Sequence, residues 1–152
     1  AWSWRNEMLW WTGLSVAFIV FAAALGGLLG TLVFLGQALV AVCLLEIINY
    51  VEHYGLMRER DSIGRYERIS PRHSWNANHL VTNLFLFQLQ RHSDHHANGS
   101  RRYQALRHFE ESPQLPFGYP TAVLVTLLPP LWFRVMNPRV ERHAGKAVPA
   151  AT

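Results

Sequence analysis

LWWTGLSVAFIVFAAALGGLLGTLVFLGQALVAVCLLEIINYV, residues 9–51, is an almost uninterrupted apolar run that contains one charged residue, Glu46. A membrane-spanning helix needs about 20 apolar residues, so the run is too long for one span and suits two. Glycines interrupt it where a turn would have to lie, at Gly26, Gly27, Gly30 and Gly36. The sequence therefore predicts two transmembrane helices, at about 9–29 and 33–53, joined by a short turn.

Two other interpretations of this run are weaker. A buried core helix of a soluble protein is one alternative, but the length of the run favours membrane spans. A cleaved signal peptide has a short apolar core followed by a small-residue cleavage site, and this pattern is missing here. The predicted fold class is all-α: a fragment of a polytopic membrane helix bundle, with two transmembrane helices followed by cytoplasmic helices that carry histidines.

Positive charges flank the apolar run on both sides. Arg5 precedes it, and five arginines follow it: Arg58, Arg60, Arg65, Arg68 and Arg72. Because arginine-bearing flanks stay in the cytoplasm and a two-helix hairpin returns to the side it left, both ends are expected to be cytoplasmic. Acidic residues interleave with these arginines, so the net charge of +4 forms no single-sign stripe and nucleic-acid binding is not expected.

The composition divides the chain into three parts. Residues 1–56 form the predicted transmembrane hairpin, residues 57–140 a cytoplasmic part, and residues 141–152 a polar tail that is expected to be disordered. The single cysteine, Cys43, lies in the second predicted span. One thiol cannot build a disulfide framework or an iron–sulfur cluster.

The cytoplasmic part is predicted to contain short helical segments. An ordered helical segment is expected over residues 74–96, ended by Asn98-Gly99-Ser100, and a short helix over residues 101–110. The apolar run 119–132 is too short to span a membrane and contains Pro129-Pro130. We expect it to lie at the membrane interface or to re-enter the membrane while packed on the protein.

The stretch LQRHSDHHA, residues 89–97, carries three histidines at the spacing i, i+3 and i+4: His92, His95 and His96. On a helix the three rings lie within an arc of about 100°, so that one helix presents several nitrogens to a metal ion. Neutral imidazoles bound to a cation also avoid the repulsion between three protonated rings. The pattern predicts a metal site. A solvated histidine-rich helix end without function and a pH-sensing cluster are the alternatives.

Asp94 falls on the opposite face of that helix from the histidines. It is therefore not expected to bind the same ion. Two roles remain for it: orienting a histidine from another turn, or pairing with a nearby arginine.

The second predicted span ends in EIINYVEHYGL, residues 46–56. On a helix four of its polar residues fall within about 100° of one another: Glu46, Asn49, Tyr50 and His53. Polar groups are costly in lipid, so this stripe should face the protein interior. His53 lies at a depth where a helix ending at His96 can meet it, which predicts a metal ligand. A polar cluster that ties two helices together is the alternative.

NYVEHYGL, SWNANHLVTNLFLF and LQRHSDHHA together resemble the integral-membrane alkane 1-monooxygenases, which belong to the membrane di-iron hydroxylases and fatty-acid desaturases. The resemblance extends from about residue 10 to residue 139. It implies that two non-haem irons are held by nine histidines on the cytoplasmic side of a six-helix bundle in the bacterial inner membrane. It also implies terminal hydroxylation of medium-chain n-alkanes by O2, with electrons from rubredoxin and its reductase.

Carried onto this sequence, the resemblance implies four iron ligands: His53, His92, His95 and His96. Four more residues are candidates for contacts behind the ligands: Glu46, Asn49, His79 and Asp94. Taken alone, His79 has a plain alternative as a structural histidine.

The sequence departs from the family in one large respect. The H-E-x-x-H-K-like and E-H-x-x-G-H-H-like boxes that provide the other five histidines in the family are missing from it. The chain is therefore expected to be the C-terminal portion of a longer protein and to be inactive alone. Two other functions stay open: a related membrane hydroxylase for an aromatic methyl group or a terpene, and a non-catalytic membrane protein that binds zinc or senses metal.

Overall fold

A computed structural model describes residues 3–147 of the chain. These residues are helical wherever they form a regular element, and apart from two isolated bridges the described part contains no β-structure. The α-helices are α1 Glu7–His53, α2 Leu80–Phe85, α3 His92–Ala97, α4 Tyr119–Thr126 and α5 Pro129–Ala147. The predicted all-α class is confirmed. The chain divides into two compact units, Ala1–Leu45 and Glu46–Thr152.

In the first unit α1 is broken at Gly27, where φ is +56° and ψ is −143°. That backbone conformation is open to glycine and strained for other residues. Beyond the break the chain runs back along itself, because the rings of Phe18 and Phe34 stack with centroids 6.5 Å apart. In a continuous helix residues sixteen positions apart would be about 24 Å apart. The break therefore falls among the glycines that predicted a turn, but at Gly27 it lies inside the first predicted span, 9–29, and not between 29 and 33.

α1 is the one helix of the described residues that is long and apolar enough to cross a membrane, by length and composition. Large apolar side chains are exposed along it, among them Leu25, Leu28 and Leu29 at 71–77 % exposure. A soluble protein seldom exposes so continuous an apolar surface. The surface is the one expected for a helix in contact with lipid or with other membrane helices.

The second unit is built around a small core to which distant parts of the chain contribute. Val51 from the end of α1 packs with the interhelical residue Trp75, with Tyr119 of α4 and with Trp132 and Met136 of α5. Each of these residues is at most 2 % exposed. The core joins the end of α1 to α4 and α5. It therefore fixes the position of His53, the last residue of α1, two positions after Val51.

The predicted continuous helix over residues 74–96 is wrong. Two short helices, α2 and α3, replace it, and the chain between them turns through Phe87 and Gln88 at positive φ. The turn brings the buried Gln90 side chain back onto α2, where its Nε2 donates to Thr82 and to Asn83. Apolar periodicity alone does not reveal such a turn, because it depends on where a buried amide finds its partners.

Three other differences from the sequence prediction lie further along the chain. Residues 101–110 hold only the 3-10 turn Tyr103–Ala105. Pro129 and Pro130 do not break a segment but begin α5, where their missing N–H groups cost nothing. α5 continues through Ala147, so the expected disorder from Glu141 is wrong as far as that residue. Residues 148–152 of the expected tail lie outside the described residues.

Gly55 lies two residues beyond the end of α1 with φ +68°, and a Cβ atom there would lie 2.7 Å from both methyl carbons of Val140 on α5. Replacing Gly55 by alanine should destabilise the second unit, by about 1–2 kcal/mol for the left-handed backbone and more for the contact. The measurement is the thermal unfolding midpoint in detergent. In a double variant that also carries Val140→Ala, the unfolding midpoint should recover only by the part of the loss that the contact with the Val140 methyl groups causes. An unchanged midpoint for the single variant would contradict this reading of the turn.

Candidate metal centre

A buried polar network positions α3, which has only six residues and cannot be stable by its own hydrogen bonds. The Asn76 side chain donates through Nδ2 to the Ser93 hydroxyl and accepts from the Ser93 backbone N–H at 3.0 Å. The Ser112 hydroxyl donates to the Ser93 hydroxyl at 2.9 Å. Asn76, Ser93 and Ser112 are all buried. Side-chain contacts from two distant segments therefore hold the helix that carries three of the histidines.

Asp94 fixes the loop that follows α3. Its buried carboxylate accepts hydrogen bonds from the Asn98 amide at 2.7 Å, from the Arg101 guanidinium and from the Arg107 backbone N–H at 2.7 Å. Burial alone would raise the pKa of Asp94, but these hydrogen bonds and the charge of Arg101 hold that pKa below its usual value. Of the two roles that the sequence left open for Asp94, the contact with arginine is the one found.

Three imidazoles meet where α3 packs against the end of α1. A nitrogen atom from each of His53, His92 and His96 lies within 4.8 Å of the corresponding atoms of the other two. The ring centroids of His92 and His96 are 4.3 Å apart, and that of His53 is 5.3 Å from His92 and 5.1 Å from His96. Residues 43 positions apart in the sequence therefore form one cluster of donor nitrogens.

The hydrogen bonds of His53 determine which of its nitrogens faces the cluster. His53 Nδ1 lies 2.9 Å from the carbonyl oxygen of Asn49, and only a protonated nitrogen can donate to that oxygen. The other ring nitrogen, Nε2, faces the cluster and lies 3.1 Å from His96 Nε2. An imidazole fixed by a backbone carbonyl at one nitrogen and open at the other is the usual state of a metal-binding histidine.

His92 is the most deeply placed of the three, with 13 % of its side chain exposed. Burial, together with the neighbouring His96, His53 and His95, lowers the pKa of His92 to about 3. Burial also lowers the pKa of His96, together with His53 and His95. Both rings are therefore neutral at physiological pH, as metal binding requires.

Glu52 completes the surroundings of His92. Its carboxyl Oε2 lies 3.1 Å from His92 Nε2. Glu52 Oε1 and His92 Nε2 are both buried and have no hydrogen-bond partner among the described residues. Such groups are costly in a protein interior unless they bind an ion. Besides the candidate ligand His53, the sequence candidates on this helix were Glu46 and Asn49, and the signal for Glu52 was its position directly before His53.

The donor set fits a transition-metal ion. Two nitrogens bound at about 2.1 Å to one ion are at most about 4.2 Å apart. The three nitrogens of the cluster lie within 4.8 Å of one another, so small ring movements would let all three bind one ion. Imidazole and carboxylate ligands suit iron, and imidazole suits zinc and copper as well. The unpaired atoms of Glu52 and His92 border this cluster, which favours a cation here over a solvated histidine-rich helix end.

The remaining candidates from the sequence lie around this cluster or away from it. His95 is exposed, with its ring centroid 5.9 Å from that of His92 and 6.0 Å from that of His96, at the edge of the cluster. Glu46 is exposed, and Asn49 touches the cluster through its backbone carbonyl alone. His79 is exposed at the start of α2, where its carbonyl accepts from the Asn83 N–H at 2.9 Å.

Relative to a His92→Asn variant, the metal-free protein should lose stability as the pH falls below about 6.5. There the unfolded chain protonates His92, whereas the folded chain does not do so until about pH 3. On account of His92 the unfolded state binds up to one proton more than the folded state in this window, which lowers the free energy of unfolding by up to about 1.4 kcal/mol per pH unit relative to the variant. Unfolding midpoints of both proteins in detergent at pH 5 and pH 7 measure the difference. Equal pH slopes for the two proteins would contradict the assignment.

The chain is similar to proteins of one enzyme group along most of its length. It is 57 % identical over 140 residues to an alkane 1-monooxygenase 2 of Pseudomonas aeruginosa, covering 92 % of this chain and 37 % of that protein. It is 58 % identical over 139 residues to the alkane 1-monooxygenase 2 of Alcanivorax borkumensis, covering 91 % and 36 %. A xylene/toluene monooxygenase hydroxylase component of Pseudomonas putida is 30 % identical over 135 residues, covering 89 % and 35 %.

These relatives agree with the family to which the sequence pattern pointed. The chain spans somewhat more than a third of the length of the curated relatives that it matches. The fatty acid desaturase family matches residues 1–132, which include the apolar arms and all four candidate histidine ligands. The chain belongs to the fatty acid desaturase family.

Proposed function

We propose that this chain forms part of a membrane non-haem di-iron monooxygenase that hydroxylates the terminal carbon of medium-chain n-alkanes. The observation that carries the proposal is the cluster of His53, His92 and His96 at the end of an apolar helix. The identity of 57–58 % to two proteins named alkane 1-monooxygenase supports the same reaction. The histidine nitrogens lie at the end of α1, whose apolar surface suits contact with lipid. Lipid is also where an alkane is most soluble.

His53, His92 and His96 are the proposed ligands of one iron ion, and His95 would be a ligand of the second. The two irons, when bound, provide the oxidising power that a strong C–H bond requires from O2. Burial keeps His92 and His96 neutral, the Asn49 carbonyl orients His53, and Asn76 fixes α3 through Ser93. The resemblance to the family implies five further histidine ligands from another part of the protein.

Both arms of α1 are proposed to cross the bacterial inner membrane, with the site on the cytoplasmic side. Residues 1–8 and 56–152 should then face the cytoplasm, and the turn at Gly27 should face the periplasm, because arginines flank both outer ends of the arms. A reporter enzyme that is active only in the periplasm, fused after Gly30, measures the location of the turn. A fusion after Gly99 is the matched control and should be inactive. A cytoplasmic turn would overturn this topology.

Rubredoxin, itself reduced by rubredoxin reductase, is the proposed electron donor. The surface suited to an acidic carrier is the loop that follows α1, in which Arg58 and Arg60 flank the ring of Tyr66 at 5.1 and 4.4 Å. Charge complementarity at such a surface mainly raises the association rate and makes it sensitive to salt. Neutralising the two arginines should therefore slow electron delivery at low salt and leave the iron content unchanged.

A related reaction at an aromatic methyl group is the second candidate. The 30 % identity to a xylene/toluene monooxygenase component favours it, although the alkane enzymes are nearly twice as similar. The full-length protein with rubredoxin, its reductase and NADH should convert octane to 1-octanol faster than it converts xylene to its benzylic alcohol. Faster oxidation of xylene would make the aromatic methyl group the favoured substrate in place of the alkane. Zinc in place of iron, with no O2-dependent product, would favour a non-catalytic metal-binding protein.

A further inference from the structure

The α4–α5 corner, residues 124–133, exposes an unbroken apolar stretch. Residues 127–131, LLPPL, are all exposed, and Leu127 and Leu128 are 60 % and 58 % exposed. The sequence from Pro120 to Phe133 contains no ionisable side chain. A protein surface in water seldom leaves so large an apolar stretch uncovered. The corner therefore requires an apolar environment from outside the described residues.

The inner side of the corner is fixed in the core of the second unit. Ala122 of α4 and Trp132 and Met136 of α5 belong to that core and are at most 1 % exposed. At the start of α4 the Tyr119 N–H donates to the Gln90 side chain at 2.8 Å. The outward direction of the remaining apolar side chains is therefore a consequence of the fold and not of a loosely held loop.

The corner packs beside the end of α1, next to residues of the apolar run 9–51. The rings of Tyr50 and Trp132 lie 5.8 Å apart between centroids. Ile47, one turn earlier in α1, lines a groove together with residues of the corner. Ile47 and Tyr50 precede His53 by six and three residues, which is about 9 and 5 Å along a helix. The corner is therefore level with the last two turns of the apolar arm.

The outer face of the corner carries no charge. Glu46, the one charged residue of the run 9–51, lines the groove between α1 and the corner. Leu128 and Leu131 do not line this groove and are 58 % and 44 % exposed. The carboxylate therefore lies on the inner side of the corner, and the leucines point away from it.

The backbone N–H groups of the corner need no partner from outside. Those of Leu128, Leu131 and Trp132 donate to the carbonyls of Val125 or Leu128 at 2.9–3.0 Å, and Pro129 and Pro130 have no N–H. Within a bilayer each backbone polar group must find its partner inside the protein, because no water is present. A turn in water is under no such constraint. The N–H groups from Leu128 to Trp132 all meet it.

The side chains of the outer face suit lipid better than another membrane helix. Helix interfaces within membranes are rich in small residues, which let two backbones approach closely. The outer face presents leucines and prolines instead, and the small residue Ala122 faces the core. The exposed Arg134 directly follows the apolar stretch, as is typical of the cytoplasmic edge of a membrane.

We propose that the α4–α5 corner is a re-entrant segment inserted in the cytoplasmic leaflet, where Leu124, Leu128 and Leu131 contact lipid acyl chains. The uncharged stretch 120–133 is too short to cross the bilayer, which needs about 20 residues. The inference rests on the proposed function, since it takes the end of α1 to be the cytoplasmic end of a membrane span. It places the core that fixes His53 at the surface of the membrane from which an alkane would come.

The test uses the full-length protein in lipid nanodiscs, with Cys43 and any other native cysteine replaced by serine and a spin label on one introduced cysteine. Leu124→Cys, Leu128→Cys and Leu131→Cys are labelled in turn. Ile63→Cys is the matched control, because Ile63 is an equally exposed apolar residue in the polar loop after α1. Oxygen concentrates among acyl chains, and a nickel chelate stays in water. We expect the ratio of oxygen to nickel collision rates to be several-fold higher at the corner than at Ile63.

Each result at Leu128 and Leu131 decides for or against lipid contact. Labels that oxygen reaches and the nickel chelate does not reach would support insertion in the leaflet. Labels that the chelate reaches as fast as at Ile63 would place the corner in water. Labels that neither reagent reaches would place it under another part of the protein or under a second copy. Either of the last two results would overturn the proposal.

Photolabelling of the unchanged protein gives a measurement that does not depend on a variant that folds. A lipid-soluble carbene reagent, activated by light in the nanodiscs, should label the tryptic peptide 108–134 and leave the loop peptide 61–65 unlabelled. An unlabelled peptide 108–134 would overturn the proposal.

Iron content and octane oxidation of the same nanodiscs test the proposed function separately. A protein that holds iron and forms 1-octanol, but whose corner lies in water or under protein, would keep the proposed function and refute the re-entrant segment. Absence of iron would refute the proposed function, whatever the corner contacts.

Discussion

Replacing His92 by alanine in the full-length protein should remove bound iron and alkane hydroxylation together, with activity reduced by about 100-fold or more. Changes to groups behind the ligands typically cost 10- to 100-fold in such sites, and loss of a ligand should cost at least as much. His92 has the most central position of the three clustered rings, 4.3 Å from His96 and 5.3 Å from His53 between centroids. Iron per chain and 1-octanol formation are the two measurements.

His95→Ala and His96→Ala should give the same result if each ring binds an ion, and His143→Ala is the control. The ring of His143 lies 3.0 Å from the Arg72 carbonyl and packs near Trp75, outside the cluster. The His143→Ala variant should therefore retain iron and activity. Near wild-type activity in His95→Ala would remove the exposed His95 from the ligand set and leave the three-histidine cluster in place.

The 152-residue chain expressed alone should bind less than one metal ion per chain and oxidise no octane. The described residues bring only three histidine donors into one cluster, with His95 at its edge, whereas two irons need roughly twice as many ligands. The measurement is iron per chain of the protein purified in detergent, followed by an octane assay with rubredoxin, its reductase and NADH. Addition of the remaining part of a relative in trans should raise both values, because the ligands come from separate helices.

Two irons per chain, or octanol above background, would show that the chain builds a complete site. The ligand set would then contain residues other than the four histidines. A variant lacking His92 is the matched control for adventitious iron, since it retains the apolar arms and most of the surface histidines.

The parts of this molecule that follow from short-range pattern could be predicted from its sequence. The length of the run 9–51 and its glycines predicted apolar helical arms and a turn, and the break is found at Gly27. The i, i+3, i+4 spacing predicted that the histidines of α3 share a face, and His92 and His96 do meet His53. Both inferences need only the geometry of a helix.

The parts that depend on contacts between distant residues could not be predicted in this way. The continuous helix over 74–96 was wrong because Gln90 returns to Thr82 and Asn83, a pairing that no local pattern encodes. Glu52 was missed because on a helical wheel it lies about 100° from His53, away from the polar stripe. Its burial against His92 arises from the packing of Val51 into the core of the second unit.

The histidine-bearing helix α3 owes its position to residues far from it in the sequence, and this limits what can be transplanted. A designer who grafts HSDHHA alone onto another scaffold would move six residues that have no partners to hold them. The unit to transfer also includes Asn76 and Ser112, which form hydrogen bonds with Ser93. It further includes Arg101, whose guanidinium donates to the Asp94 carboxylate. Because these contacts are spread over almost forty residues, recombination within residues 76–112 should yield far fewer metal-binding chimeras than crossovers placed outside this segment.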